Sequence, residues 1–347
     1  MYSFANDYSE GAHERILEEL TRTARRQTGC YGIDEYCDAA RAAIQQYLQS
    51  PASEIHFLVG GSQTNLIVAT MVLRPHQGMV SAASGHVNVY ESGAIEATGH
   101  KVLALPCDEQ GKLTAQQVDD YIQGHYDDDT AEHMVQPGMV YISNPTENGT
   151  IYTKQELTEL KAVCEKWKIP LYMDGARLGC ALTSHANDLT LSDLAKLTDI
   201  FYIGGTKMGA LFGEALVIND ARWAADFRSI MKQRGGMLAK GKLLGIQFHQ
   251  LFQDGLYYQL AEYANKQARR LEEGVKKLGY GFLVETPTNQ IFPILPKTVL
   301  QRLSDRYSWS FWSKVDDQHD AIRLCTSWAT REDMVEAFLA DLAEAGE

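Results

Sequence analysis

In the stretch Phe201-Tyr-Ile-Gly-Gly-Thr-Lys-Met-Gly209, a β-rich run ends in two glycines that are followed closely by Lys207. If the run is a strand, the ammonium of Lys207 lies at the carboxyl end of that strand, where open α/β sheets bind ligands. A lone lysine in a loop is more often a surface residue. Here the glycines favour a functional role, because they let the backbone approach a bulky group closely. A lysine desolvated in such a pocket has a lowered pKa and becomes a nucleophile.

The region around this stretch alternates short β-rich runs with helical patterns from about residue 50 to residue 220. Such alternation predicts a mostly parallel sheet covered by helices on both faces. Helices are predicted before this region, one of them capped by Asp34, and within it, for example over Val87–Thr98. The predicted strands are Ile55–Leu58, Met79–Ala82, Val102–Leu105, Met139–Ser143, Ile169–Met173, Ile200–Ile203 and Ala215–Ile218.

The chain of 347 residues is longer than a domain with a single compact core usually is, so two domains are expected. Residues 1–240 are predicted to form an N-terminal arm and a large α/β domain. Residues 241–347 are predicted to form a smaller α+β domain, with a strand pair around Phe282–Val284 and Ile322–Cys325 and a last helix that begins at Arg331.

Composition excludes several classes of protein. The formal net charge of −13, without any basic run, argues against binding to nucleic acid and to anionic membranes. No apolar stretch approaches the ~20 residues of a membrane-spanning helix, and the N-terminus lacks the pattern of a secretory signal. The six cysteines are scattered and have no zinc-binding spacing, so reduced thiols and no metal site are expected. A cytoplasmic protein is predicted.

A second stretch, Ile169-Pro-Leu-Tyr-Met-Asp174-Gly-Ala-Arg177, places a carboxylate at the end of a buried strand. A buried carboxylate needs a partner. A structural salt bridge would satisfy this need as well as a ligand would. A protonated pyridine nitrogen is the ligand that fits best, because a carboxylate beside it keeps the ring charged and able to take up electrons.

Two further motifs follow predicted strands. Gly60-Gly-Ser-Gln63 opens a helical pattern, and a glycine-rich turn there presents backbone N–H groups and the positive end of the helix dipole to an anion. His86 begins the helix after the next strand. A single glycine-rich turn or histidine is weak evidence, since both are frequent in structural roles.

The order of these motifs is more specific than any one of them. A Gly-Gly-Ser turn, a histidine, Asp174-Gly-Ala-Arg177 and then Lys207 resemble the aspartate-aminotransferase superfamily of pyridoxal 5'-phosphate enzymes, and within it the threonine aldolase group of the β-eliminating lyases. The resemblance runs from Asn6 to Arg323. It implies a large domain of the PLP-dependent transferase type with a mixed, mostly parallel seven-stranded sheet.

The resemblance also implies roles for residues at the cofactor. Lys207 would hold pyridoxal 5'-phosphate as a Schiff base, Asp174 would pair with the ring nitrogen, Arg177 would lie by the phenolic oxygen, and His86 would stack on the ring. Its phosphate would be bound by the turn after the first strand of the sheet and by the residue before the lysine, namely Gly61, Ser62, Gln63 and Thr206.

For the substrate, the resemblance implies that Arg323 grips the carboxylate and that Asn6 stands near it. The family has a histidine in its Asn-Thr-His-Asn-Gly loop, whereas this chain has Asn144-Pro-Thr-Glu147-Asn-Gly149. Either His86 or Glu147 can therefore remove the proton from the substrate hydroxyl. This departure leaves open whether threonine or another β-hydroxy amino acid is the preferred substrate.

The predicted activity is carbon–carbon cleavage of L-threonine or another β-hydroxy-α-amino acid to glycine and an aldehyde. β-Elimination and transamination remain alternatives, because the same cofactor residues serve all three reactions. A non-catalytic α/β protein that binds an anion is a further alternative. The resemblance implies a homodimer or a homotetramer.

Overall fold

The computed structural model describes residues 1–346 and contains the predicted seven-stranded sheet. Its strands are numbered here together with those of the rest of the chain. The strands are β1 Tyr2–Ser3, β2 Glu54–Leu58, β3 Gln77–Ala82, β4 Val102–Leu105, β5 Gln136–Ser143, β6 Leu171–Asp174, β7 Ile200–Gly204, β8 Glu214–Ile218, β9 Gln290–Ile291, β10 Ile294–Pro296, β11 Tyr307–Ser308, β12 Ser310–Lys314 and β13 His319–Cys325.

Helices surround this sheet and form most of the region after it. The α-helices are α1 Glu14–Thr23, α2 Glu35–Leu48, α3 Gly61–Val72, α4 His86–Val89, α5 Ala115–Asp127, α6 Lys154–Trp167, α7 Leu178–Leu182, α8 Leu191–Leu197, α9 Phe227–Gln233, α10 Lys242–Phe252, α11 Leu256–Lys277, α12 Lys297–Leu303 and α13 Glu332–Gly346. Asp34 caps α2 as predicted, because its side chain accepts hydrogen bonds from the N–H groups of Tyr36 and Cys37.

The large sheet has the strand order β2-β8-β7-β6-β5-β3-β4. Strands β3, β4, β5, β6 and β7 are parallel, and β8 runs antiparallel to both β7 and β2. Strand β2 therefore points the same way as β7. As a consequence, the carboxyl ends of β2, β3, β5, β6 and β7 meet at one edge of the sheet, and the amino end of β8 lies at that same edge.

Each strand divides its side chains between the two faces of the sheet, as the two-residue period of a strand requires. In β7, Phe201 and Ile203 belong to the hydrophobic core on one face, whereas Tyr202 belongs to the core on the other. Tyr141 of β5 and Tyr172 of β6 lie on the same face as Tyr202. Strands β6, β7 and β8 are buried along their whole length, which explains their almost continuous apolar sequence.

A smaller sheet forms around β13, which pairs with β10, β12 and β9. The first residues of the chain pack here: β1 pairs in parallel with β11, and the ring of Phe4 lies 5.4 Å from that of Phe338. The smaller α+β unit is thus present, as the sequence indicates. The exact boundary proposed at residue 240 stays a prediction.

Two predicted elements differ from the structure. The helix predicted over Val87–Thr98 is wrong: α4 ends at Val89, because Ser92 and Gly93 have positive φ angles of 52° and 71° that break a helix. Residues Phe282–Val284 are not a strand; Phe282 forms only an isolated bridge with Pro293. Within residues 1–346, no helix is both long enough and apolar enough to cross a membrane.

Candidate active site

The predicted site residues converge at the sheet edge where the strand ends meet. Asp174 is the last residue of β6, Lys207 follows β7, and His86 begins the helix after β3. They line a cavity of about 330 Å³ together with residues of the glycine-rich turn and of the loop after β5. That size suits a small ligand. Of the predicted residues, the cavity is lined by Gly61, Ser62, His86, Glu147, Asp174, Arg177, Thr206 and Lys207.

The glycine-rich turn after β2 leaves a helix end open to the cavity. Helix α3 has Gly60 as its N-cap, and no side chain caps it, so N–H groups of its first turn are available to a ligand. A Cβ atom at Gly61 would lie only 2.8 Å from the hydroxyl of Tyr202, so a side chain at this position would fill the space. The side chain of Gln63 is bonded outside the cavity, to the N–H of Val59 and to the carbonyl of Arg234.

Asp174 is a buried carboxylate surrounded by hydrogen-bond donors. It accepts hydrogen bonds from the hydroxyls of Tyr202 and Tyr141, from Nδ2 of Asn65 at 3.2 Å and from the N–H of Ala176 at 3.0 Å. Burial alone would raise the pKa of Asp174. The charge of His86 and the Tyr202 hydrogen bond outweigh burial, so the pKa lies below its usual value and the carboxylate stays ionised.

His86 is oriented by Glu91, which sequence reasoning missed. The ring Nδ1 lies 2.7 Å from Oε1 of Glu91, and the same oxygen accepts a hydrogen bond from Asn65 Nδ2 at 2.7 Å. Burial lowers the pKa of His86, but the hydrogen bond to Glu91 and the charge of Asp174 raise it above its usual value. Because Nδ1 is engaged, Nε2 is the ring nitrogen left for a ligand.

Glu147 lines the cavity from the loop after β5. Its Oε1 accepts hydrogen bonds from the backbone N–H of His86 at 2.8 Å and from Oγ of Ser143 at 2.7 Å. Burial raises the pKa of Glu147 above its usual value, and the charge of Asp174 contributes to the rise. A carboxyl group with a raised pKa exchanges protons closer to neutral pH than an exposed one.

Arg177 is the guanidinium group that lines the cavity, and it is held by Asp7. Its Nε and Nη2 donate to the two carboxylate oxygens of Asp7 at 2.6 and 2.9 Å. Burial would raise the pKa of Asp7, but the charges of Arg177 and Lys207 lower it to about 2. The pair is therefore fixed in its charged form, with Arg177 facing the ligand space.

Arg323 and Asn6 are not among the residues that line the cavity. Arg323 Nη2 donates to the carbonyl of Ala5 at 3.0 Å and to Ser310 Oγ at 3.2 Å, and its Nε is buried without a partner. Asn6 Oδ1 accepts hydrogen bonds from the next turn of the chain, at Tyr8 N and Ser9 Oγ. The binding of a substrate carboxylate by Arg323 and Asn6 stays a prediction.

Lys207 meets the conditions for a reactive amine. Burial lowers its pKa, and the positive charge of Arg177 lowers it further, against the opposing effect of Asp7, Asp174 and Glu214. Its Nζ lies 6.0 Å from the centre of the Tyr8 ring, which also lines the cavity. A larger fraction of this lysine is therefore neutral, and nucleophilic, than of an exposed one.

These residues fit pyridoxal 5'-phosphate. Gly60 and Gly61 form an open helix end where a phosphate group can bind, Asp174 supplies a buried carboxylate for a ring nitrogen, and Lys207 supplies an amine for an aldehyde. All three groups face one cavity. Glu91 orients His86 through its Oε1, and its buried Oε2 has no hydrogen-bond partner.

Comparison with solved structures first gives the class of fold. Aspartate aminotransferase from Thermus thermophilus superposes with a TM-score of 0.73 over 99% of this chain and 91% of that chain, at 14% identity, which establishes a shared fold alone. Within that class the chain belongs to the beta-eliminating lyase family, whose profile matches residues 10–297. This is a family of pyridoxal-phosphate-dependent enzymes.

Two relatives in the family are more similar. A solved structure of threonine aldolase from Leishmania major is 43% identical, with a TM-score of 0.96 and coverage of 99% of both chains. The low-specificity L-threonine aldolase of Pseudomonas aeruginosa is 28% identical over 344 residues, which cover 98% of this chain and 96% of the relative.

Proposed function

We propose that the protein is a pyridoxal-phosphate-dependent aldehyde-lyase that cleaves L-threonine and related β-hydroxy-α-amino acids to glycine and an aldehyde. The observation that carries the proposal is one cavity lined by an open helix end, a buried ionised carboxylate and a lysine with a lowered pKa. The similarity to threonine aldolases from Leishmania major and Pseudomonas aeruginosa supports this choice among the possible reactions.

Different residues of the chain are proposed to bind different parts of the cofactor. Lys207 Nζ is the amine that would hold the aldehyde of the cofactor, and the N–H groups at Gly61 and Ser62 would hold its phosphate. Asp174, ionised in its ring of donors, keeps the ring nitrogen protonated. When bound, the cofactor supplies a conjugated ring that takes up the electrons of the bond that breaks.

The substrate is held and activated by residues around the mouth of the cavity. Arg323 is the proposed partner of the substrate carboxylate, and Arg177, which lines this space, is proposed to lie by the phenolic oxygen of the cofactor. A base must remove the proton of the β-hydroxyl. Glu147 suits this task because only its Oε1 is occupied by His86 N–H and Ser143, which leaves Oε2 for the substrate. His86 Nε2 is the alternative base.

Product analysis tests the reaction. Protein loaded with pyridoxal 5'-phosphate is incubated with threonine, allo-threonine, phenylserine and serine, and products are identified by chromatography. We expect glycine with acetaldehyde from threonine and glycine with benzaldehyde from phenylserine. Release of ammonia and a 2-oxo acid as the main products would instead establish β-elimination, and formation of a new amino acid from an added 2-oxo acid would establish transamination.

Replacing Glu147 by Gln tests the assignment of the base. A glutamine keeps the size and accepts the same two hydrogen bonds but cannot take up a proton, so kcat for threonine should fall about 10²- to 10³-fold. The wild-type rate should decline as the pH falls through the raised pKa of Glu147, because the base is then protonated. The variant should lack this decline.

The control for Glu147→Gln is Glu159→Gln, at an exposed position of α6. It should retain the wild-type rate and pH profile. If Glu147→Gln keeps both the rate and the acidic decline, the base is not Glu147 and His86 takes its place.

We also propose a cytoplasmic homodimer or homotetramer. Apolar side chains are exposed beside the site, with Val89 50% and Tyr90 54% accessible next to His86 and Leu211 42% accessible after Lys207. Single apolar residues are common on surfaces, but exposed apolar residues that adjoin site residues in the chain are ones that a subunit interface beside the site would cover. Light scattering coupled to size-exclusion chromatography would show a monomer if this is wrong.

A further inference from the structure

Glu214 is a buried carboxyl group that none of the steps above uses. It is the first residue of β8 and is only 4% exposed. In the sheet it lies opposite Leu58 of β2 and Gly204 of β7. Because β8 runs against its neighbours, its amino end lies where β2 and β7 end. Glu214 is therefore placed between the glycine-rich turn that follows β2 and the loop that carries Lys207.

The hydrogen bonds of Glu214 join it to the loop that carries Lys207. Its Oε1 accepts a hydrogen bond from Oγ1 of Thr206 at 3.0 Å, and its Oε2 accepts one from the N–H of Gly205 at 3.2 Å. It lines the same cavity as Gly60, Gly61 and Ser62. Glu214 thus occupies donors at the end of the cavity where the phosphate is proposed to bind.

We propose that Glu214 is a further residue of the cofactor site, and that its carboxyl group is protonated whenever a phosphate dianion occupies the Gly60–Ser62 turn. The inference rests on the proposed function, since it requires a phosphorylated cofactor at that turn. Two anions repel strongly in a cavity shielded from water. A neutral carboxyl group avoids this repulsion and offers an O–H donor instead.

The surroundings of Glu214 make such a protonation accessible. Burial raises the pKa of Glu214 to about 8, the charge of Lys207 opposes the rise, and the charge of Asp174 adds to it. Three tyrosines near Glu214 have pKa values well above 10 and stay neutral over the range in question: Tyr172 on β6, Tyr202 on β7 and Tyr257 on α11. Further ionisable residues that line the cavity with Glu214 are Tyr8, His86, Glu147 and Arg177.

The sign of the pH dependence follows from this value. Below about pH 8 the carboxyl group is already neutral, so phosphate binds without a proton being taken up. Above it the group is ionised, and each binding event must bring in a proton. The affinity then falls about tenfold per pH unit until the pKa of the bound form is reached.

The probe for this effect is pyridoxine 5'-phosphate, which has the ring and phosphate but no aldehyde to bond to Lys207. Its Kd is measured by isothermal titration calorimetry between about pH 7 and pH 9.5. Deprotonation of the ring nitrogen of the probe and of Lys207 also changes Kd with pH, and it does so equally in the wild type and in Glu214→Gln, which mimics the neutral carboxyl group. We therefore expect Kd to rise about 30-fold more over this range in the wild type than in Glu214→Gln.

The matched control is Glu159→Gln, which makes the same chemical change at an exposed position of α6 and should follow the wild type. Calorimetry in buffers of different ionisation enthalpy supplies a second measurement. At about pH 9 the wild type should take up close to one proton more per bound probe than Glu214→Gln. If the glutamine variant fails to fold, the wild type is measured with inorganic phosphate, which has no ring nitrogen: binding at about pH 9 without proton uptake overturns the proposal.

Equal pH dependence in the wild type and in Glu214→Gln would also overturn the proposal, because Lys207 and the ring nitrogen of the probe would then account for the whole decline. Neither result would affect the proposed function. Failure of the wild type to bind both this probe and pyridoxal 5'-phosphate at any pH would overturn the proposed function itself, and the two failures are therefore distinguishable.

Discussion

Lys207→Ala should abolish covalent attachment of the cofactor and lower kcat for threonine by at least about 10³-fold. The lysine is the amine in the cavity whose pKa is lowered by burial and by Arg177. An alanine leaves the open helix end at Gly60 intact, so the variant should still bind the cofactor non-covalently. The loss therefore concerns the bond and the proton transfers made by the amine rather than the fold.

Borohydride reduction provides the direct measurement for Lys207→Ala. In the wild type, reduction and proteolysis should yield one modified peptide, the one that contains Lys207. The variant should yield none and should lose the visible absorbance of the bound aldehyde. Lys196→Ala, at an exposed position of α8, is the control and should behave as the wild type. Equal rates of threonine cleavage by Lys207→Ala and wild type would rule out the proposed role of the lysine.

The sequence was sufficient to predict the sheet and the residues at the ends of its strands. Alternating apolar runs and helical patterns indicate parallel strands, and parallel strands bring their carboxyl ends to one edge. Asp174 and Lys207 could therefore be placed together although 33 positions separate them in the chain. The prediction of a long helix after His86 was wrong because Ser92 adopts a left-handed conformation, which no periodic pattern of apolar residues reveals.

The polar groups around Asp174 could not be predicted in the same way. Tyr141 and Tyr202 contribute their rings to the hydrophobic core and their hydroxyls to the carboxylate, so each looks like an ordinary strand residue in the sequence. The sequence did contain one indication of a polar group near Asp174. Tyr172 lies two positions before Asp174 and hence on the same face of the sheet. Glu214 was missed because β8 is the only reversed strand next to β7, and nothing local indicates its direction.

Asp174→Asn should lower kcat by about 10²- to 10³-fold while the cofactor remains bonded to Lys207, so the labelling by borohydride persists. The ionised carboxylate is what keeps the ring nitrogen protonated, and an amide cannot do so. The amide also disturbs its neighbours. Its Nδ2 would face either the N–H of Ala176, which cannot turn, or Nδ2 of Asn65, which is itself bonded to Glu91.

This mismatch leaves a buried donor without an acceptor, so Asp174→Asn should also reduce the free energy of unfolding by about 1–3 kcal/mol. Chemical denaturation measures this reduction, and Asp305→Asn, at an exposed position, is the control. The lower stability raises the question of whether reduced activity reflects lost charge or distorted geometry. Persistent labelling of Lys207 already argues against distortion, because the amine and the aldehyde still meet.

A change of cofactor separates charge from geometry completely. Asp174→Ala removes the carboxylate and leaves room for a methyl group, so it can be loaded with pyridoxal 5'-phosphate methylated at the ring nitrogen, whose positive charge is permanent. If Asp174 acts by keeping that nitrogen charged, Asp174→Ala should be at least about tenfold faster with the methylated cofactor than with pyridoxal 5'-phosphate. Lys207→Ala should gain no rate from the methylated cofactor. Absence of any recovery would mean that the hydrogen-bond network around Asp174, and not its charge, supports the reaction.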